Sequence, residues 1–95
     1  MNKFLRVPFL GVNDVDCKVV IYESKSGEFV KNNQLIFSLE TSKTNYDIFA
    51  ESEGYLFYDV SEGQTVKVEE LLAIISDDKN LNYKKELQIF STQFN

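Results

Sequence analysis

Hydrophobic and polar positions alternate most clearly in the middle of the chain. Leu35, Phe37 and Leu39 alternate with Ile36, Ser38 and Glu40, the two-residue period of a half-buried strand. Beyond the polar triplet Thr41-Ser42-Lys43, Tyr46, Ile48 and Ala50 alternate with Asn45, Asp47 and Phe49. Strand, short polar tip and strand predict a hairpin. Apolar segments over 17–22, 55–60 and 71–76 predict further strands, and Phe29-Val30 and Val66–Val68 predict short extended pieces. Turns are expected at Gly27, Gly63, Asn32-Asn33 and Glu69-Glu70, because glycine, and to a lesser degree asparagine, tolerates positive φ. Many short strands separated by turns, with no convincing helix among them, point to an all-β sandwich or flattened barrel.

The chain also repeats itself. Ile21-Tyr22-Glu23-Ser24-Lys25-Ser26-Gly27-Glu28-Phe29-Val30-Lys31 aligns with Phe57-Tyr58-Asp59-Val60-Ser61-Glu62-Gly63-Gln64-Thr65-Val66-Lys67 at a spacing of 36 residues. Tyr, Gly, Val and Lys recur in register, and Leu35 meets Leu71 ahead of a second apolar run. Two copies cannot make a solenoid, but they predict a domain of two similar halves related by a two-fold axis.

After Ile75 the character changes. Ser76-Asp77-Asp78-Lys79-Asn80 is polar and marks a domain edge, so the strands form one unit over 1–76. Tyr83, Leu87, Phe90 and Phe94 then fall at helical spacing. Residues 77–95 read as a polar tail, a linker toward a further domain, or a short amphipathic helix docked on the strands.

Composition narrows the class. Ninety-five residues suffice for one small domain, and 43% hydrophobic with 26% charged residues is a soluble, globular balance. No apolar run approaches the ~20 residues that cross a bilayer, and no signal peptide opens the chain, so a cytoplasmic protein without a membrane partner is expected. A net charge of −5 argues against a nucleic-acid partner, which would need clustered Lys and Arg. Histidine is absent, which removes its acid–base, nucleophile-activating and metal chemistry. Cys17 stands alone, so no internal disulfide forms; a small buried hydrophobe within a strand accounts for it better than a reactive thiol. No triad, metal cluster or phosphate-binding glycine loop is visible, and a free-standing enzyme is not expected.

Lys43 is distinguished by position. It stands at the tip of the central hairpin, where the two halves meet, and a tight turn there directs its side chain away from both sheets. Unaided, an exposed ammonium is a poor nucleophile, so any chemistry at Lys43 would come from a group attached to it.

The stretch Glu40-Thr41-Ser42-Lys43-Thr44 resembles the attachment signature Glu-Thr-Asp-Lys-Ala of the biotinyl/lipoyl-attachment domain family, most closely the lipoyl domains of 2-oxo acid dehydrogenase acyltransferase subunits. Val7-Pro8-Phe9-Leu10-Gly11 resembles the family's opening Met-Pro-x-Leu-Gly. Ser26-Gly27-Glu28 and Glu62-Gly63-Gln64 match its two Glu-Gly-Asp turns, and Asn33-Gln34 its second Gly-Asp. Tyr46–Ala50, Glu53-Gly54 and Leu72-Ala73-Ile74-Ile75 match later segments, so the likeness runs from about residue 6 to residue 76.

The resemblance implies a flattened β-barrel of two four-stranded sheets with pseudo-two-fold symmetry. It implies a lipoyl group joined as an amide to Lys43, with Glu40, Thr41 and Ser42 as the hairpin context for modification. Glu40 and Thr41 would contact the modifying enzyme; alternatively, Glu40 only keeps the tip solvated. Its partners would be a lipoate-attaching enzyme and the catalytic domains or subunits of an acyl-transfer complex. A biotinyl lysine is normally flanked by methionines, and Met1 is the only methionine, which disfavours biotin. Ser42, Thr44, Asn33 and Glu51 depart from the family pattern. The other reading is an unmodified accessory or binding module of a larger enzyme, such as one acting on sugars or other metabolites.

Overall fold

In the computed structural model, the described residues are 2–12, 14–22 and 24–93. Glu23 of the repeat and Phe94 of the helical pattern lie outside them. Eight strands precede one helix: β1 Asn2–Arg6, β2 Asp16–Ile21, β3 Phe29–Val30, β4 Leu35–Glu40, β5 Asn45–Phe49, β6 Gly54–Phe57, β7 Thr65–Lys67, β8 Leu71–Ser76 and α1 Tyr83–Gln93. The strands form two antiparallel four-stranded sheets, ordered β1-β8-β6-β3 and β5-β4-β2-β7. Adding four to, or subtracting four from, each strand number of one sheet gives the order of the other. The repeat is therefore a true two-fold relation of the fold, as the pattern predicts.

Hydrogen bonds repeat in the same way. The Gly27 amide donates to the Leu56 carbonyl (2.6 Å) and the Gly63 amide to that of Val19 (2.8 Å). The Asn33 amide donates to the Ala50 carbonyl and the Glu69 amide to that of Val7, both at 2.8 Å. Each of these four turns closes on the side chain of its fourth residue. The Lys31, Ser61 and Lys67 amides donate to the Gln34, Gln64 and Glu70 side-chain oxygens at 2.9–3.0 Å, and the Lys25 amide donates to Glu28. Asn33 (φ 69°) and Glu69 (φ 75°) occupy the left-handed region at matching points. Glu69 carries about 1 kcal/mol of Cβ strain there.

The core lies between the sheets. Val19, Val30, Ile36, Phe37, Leu39, Leu56, Val66 and Leu72 are wholly buried within it. β3 and β7 are short, and each is fixed by a single inward valine, Val30 or Val66. Two expectations need correction. β4 is not half-buried: Ile36, Phe37, Ser38 and Leu39 are all buried. It is a central strand between β5 and β2, and a register shift between Leu35 and Phe37 brings Ile36 into the core as well. The strand expected over 55–60 ends at Phe57, because the Tyr58 amide turns to the Ser26 hydroxyl (3.0 Å) and leaves the ladder.

The two outer faces differ. Phe4, Ile74 and Phe57 lie side by side across β1, β8 and β6. The equivalent row of the other sheet is Asp47, Ser38 and Val20. The apolar row is covered by α1, whose Tyr83, Leu87 and Phe90 pack with Phe57, Leu71 and Ile74. The Phe90 ring meets Phe4 edge-on at 5.9 Å, and the Arg6 guanidinium lies 5.3 Å from its centre. Asn82 caps the helix by accepting from the Lys85 amide at 3.2 Å. No helix among the described residues is long and apolar enough to cross a membrane.

Gly54 (φ 154°) lies where a Cβ would come within 2.8 Å of the Ser76 carbonyl oxygen and 2.9 Å of Ile75 Cγ2. Gly54→Ala should therefore push β6 away from β8 and cost about 2 kcal/mol or more. At Gly63 an added Cβ meets open space, so Gly63→Ala should cost only the ~1 kcal/mol of positive-φ strain. Urea midpoints of the two variants, compared with the parent, measure the difference.

Candidate functional site at the β4–β5 hairpin tip

The ladder between β4 and β5 ends at the pair Glu40 and Asn45, leaving Thr41–Thr44 to form the tip. The Thr41 amide donates to the Thr44 carbonyl at 2.9 Å. The Thr41 hydroxyl donates to that carbonyl (2.9 Å) and accepts from the amides of Lys43 (3.2 Å) and Thr44 (3.1 Å). One short side chain thus satisfies backbone groups on both arms of the turn, as threonine commonly does in tight turns. Ser42, Lys43 and Thr44 are exposed. Among the described residues, nothing forms a hydrogen bond or ion pair with the Lys43 ammonium. The four site residues read from the sequence, Glu40, Thr41, Ser42 and Lys43, therefore stand together, and Thr41 shapes the turn from within.

Beside the tip, an open cleft runs over Asp14, Asp16, Lys18, Glu40, Thr41 and Ser42. Asp14 and Asp16 did not emerge from sequence reasoning, because no local pattern links the segment before β2 to the hairpin. Part of that link is the Tyr46 hydroxyl, which donates to the Leu10 carbonyl at 2.8 Å and ties β5 to the residues leading toward Asp14. Cys17 faces the core of β2 at 3% exposure, as a small hydrophobe. Burial, with Asp16 and Glu70 nearby, pushes its thiol up from 9.0 to about 11.

A family model described as "Biotin-requiring enzyme" (biotin/lipoyl) matches residues 3–75. The chain belongs to the biotin/lipoyl-attachment family. The attachment domain is also 32% identical over 74 residues to the dihydrolipoyllysine-residue succinyltransferase component of the 2-oxoglutarate dehydrogenase complex of Pseudomonas aeruginosa. That alignment takes in 77% of this chain and 18% of the relative, so the chain spans less than a fifth of the relative's length.

Two predictions follow from the geometry of this attachment domain. Thr41→Val removes the hydroxyl from the tip and should make the Lys43 and Thr44 amides exchange about fivefold faster, for the ~1 kcal/mol of a lost hydrogen bond. Thr41→Ser should keep protection near the parent value, and amide hydrogen exchange followed by NMR checks both.

The second prediction concerns alkaline pH. The unfolded Cys17 thiol ionises near 9 and the folded one near 11, so ionisation favours the unfolded chain between those values. Stability should hold below about pH 9 and fall as pH rises toward 11. Burial raises Tyr58 and Tyr83 too, adding to the loss at the upper end. In Cys17→Ala the fall should be shallower, as read from urea midpoints against pH.

Proposed function

We propose that this domain is a lipoyl-type carrier whose attachment site is Lys43, with residues 1–76 as the carrier unit and 77–95 as an appended segment. The observation that carries this reading is the exposed lysine, unengaged by other described residues, at a turn whose backbone is hydrogen-bonded by the Thr41 hydroxyl. An attaching enzyme can reach such an amine without unfolding the sandwich. The absence of methionine beside Lys43, where Ser42 and Thr44 stand, favours lipoate over biotin. The name of the Pseudomonas aeruginosa relative, a dihydrolipoyllysine-residue succinyltransferase component, supports the same choice.

The chain's own part is mechanical and electrostatic. Amide formation at Lys43 Nζ replaces a cation by a neutral link, so the tip loses a charge that would hold it to acidic surfaces. Thr41 keeps the attachment point fixed relative to the two sheets, and Glu40 and Ser42 border the approach from the cleft. When bound, the lipoyl group supplies a strained cyclic disulfide that a thiolate or carbanion can open. The partners of this reading are a lipoate-attaching enzyme and the catalytic domains or subunits of an acyl-transfer complex.

Incubation with a lipoate-attaching enzyme, lipoate and ATP tests the proposal by intact mass and peptide mapping. The first adduct should map to Lys43, and Lys43→Arg should remove that adduct. Labelling by a biotin-attaching enzyme alone, or no adduct where a known lipoyl domain is labelled, would overturn it. Lys43→Ala should change stability by less than ~0.5 kcal/mol, as at other exposed sites. A loss of several kcal/mol would show that the side chain is packed.

A further inference from the structure

Both sheets end in open edges, and the edges are not equally guarded. β1 and β5 hold matching edge positions in the two sheets, while β3 and β7, at the other edges, are only two and three residues long. β1 carries Lys3 and is flanked by α1, whose Phe90 ring meets Phe4. β5 runs Asn-Tyr-Asp-Ile-Phe over Asn45–Phe49, with neither Lys nor Pro, the residues that commonly blunt an exposed edge.

The backbone direction along β5 follows from its two ends. The Thr44 carbonyl accepts from the Thr41 amide and the Ala50 amide donates to the Gln34 carbonyl, so both residues turn their backbone groups toward β4. These directions alternate along an antiparallel ladder, so those of Asn45, Asp47 and Phe49 turn the other way, to the free edge. Among the described residues no strand pairs with that edge. Tyr46 and Ile48 face the core, and Asp47 and Phe49 face outward. Beside the edge lies a cleft of about 370 Å³, lined by Leu5, Pro8 and Ile48 together with Asp47, Phe49 and Glu51. The Arg6 guanidinium also borders it, but lies 3.7 Å from Glu69 and 5.3 Å from the centre of the Phe90 ring. Asp47 and Glu51 are exposed and have no ion-pair partner among the described residues.

We propose that β5 is a docking edge for an extended segment of a partner protein in which Lys or Arg alternates with apolar residues. Such a segment adds a strand to the sheet, its amides and carbonyls meeting those of Asn45, Asp47 and Phe49. Residues opposite Ile48 turn inward, and apolar side chains there cover Pro8 and Ile48 in the cleft. Residues at the outward positions meet the Asp47 carboxylate, the Phe49 ring and the Glu51 carboxylate, each of which favours a cation. An acidic segment would set like charges against each other. So would a second copy of the chain paired symmetrically about Asp47, which places two Asp47 carboxylates opposite one another. Lys43 lies six residues before Phe49, on the order of 20 Å along an extended strand, so a segment centred beyond Asp47 leaves the hairpin tip clear. The edge therefore holds the domain to a partner without occupying Lys43, and this role does not rest on the carrier reading.

The test is an NMR titration of the isotope-labelled chain with a short blocked peptide that alternates Lys and Val. Binding should shift the amides from Asn45 to Glu51. It should slow exchange of the Asn45, Asp47 and Phe49 amides about tenfold at saturation, for one new hydrogen bond each. The double variant Asp47→Lys with Glu51→Lys should bind this peptide about tenfold more weakly or worse, and should instead take up a peptide alternating Glu and Val. Both positions are exposed, so its urea midpoint should match the parent's. Shifts confined to β1 or to the cleft beside Asp14, equal binding of the Glu–Val peptide by the parent, or no change with peptide in large excess overturns the proposal. A concentration-dependent dimer that protects the same amides also overturns it, and assigns the edge to a second copy of the chain.

Discussion

The fold depends on four turns that close on their own side chains. In each, a Glu or Gln oxygen receives the backbone amide three residues earlier, and a residue with positive φ follows within the turn. These turns lead the chain into and out of the two short strands, β3 and β7, which have too few ladder bonds to hold themselves. Because the side chain replaces ladder partners, each crossing satisfies its amide at a cost of few residues. Val30 and Val66 are buried as a result, and the two sheets close over a common core. The hairpin carrying Lys43 is displayed because that closure fixes both of its strands.

Symmetry and its breaking divide the work of the molecule. The backbone obeys the two-fold relation nearly throughout, down to individual hydrogen bonds. The outward side chains do not. One face carries Phe4, Ile74 and Phe57 under α1, while the equivalent face carries Asp47, Ser38 and Val20. Inward positions can stay similar in both halves because they meet the same core. Outward positions are free to differ, and there the halves have acquired different neighbours.

The repeat, β4, β8 and the hairpin tip were legible in the sequence because apolar runs and turn residues coincide there. Asn33 was legible as a turn residue, since asparagine tolerates positive φ. The Glu69-Glu70 turn was expected from the repeat, yet nothing in a glutamate announces the left-handed conformation of Glu69. The early end of β6 depends on the Ser26 hydroxyl, 32 residues away, and local pattern cannot show it. The same holds for Asp14 and Asp16 beside the tip, which reach the hairpin only through the folded path of the chain. The helix was one of several readings for residues 77–95. It forms because Phe57 and Ile74 offer an apolar row that only the strand register assembles.

The pairing of β1 with β8 has a consequence for synthesis. Leu5 meets Ala73, so the first strand of this domain to be synthesised finds its partner only when nearly the whole sandwich has been made. Until then Leu5, Val7 and Leu10, all buried in the finished domain, have no native cover. Pairings so distant in sequence are slow to form because a long loop must close first. During its synthesis the domain therefore passes through a stage in which β1 is sticky and its sheet unfinished, and the arrival of β8 is what ends it.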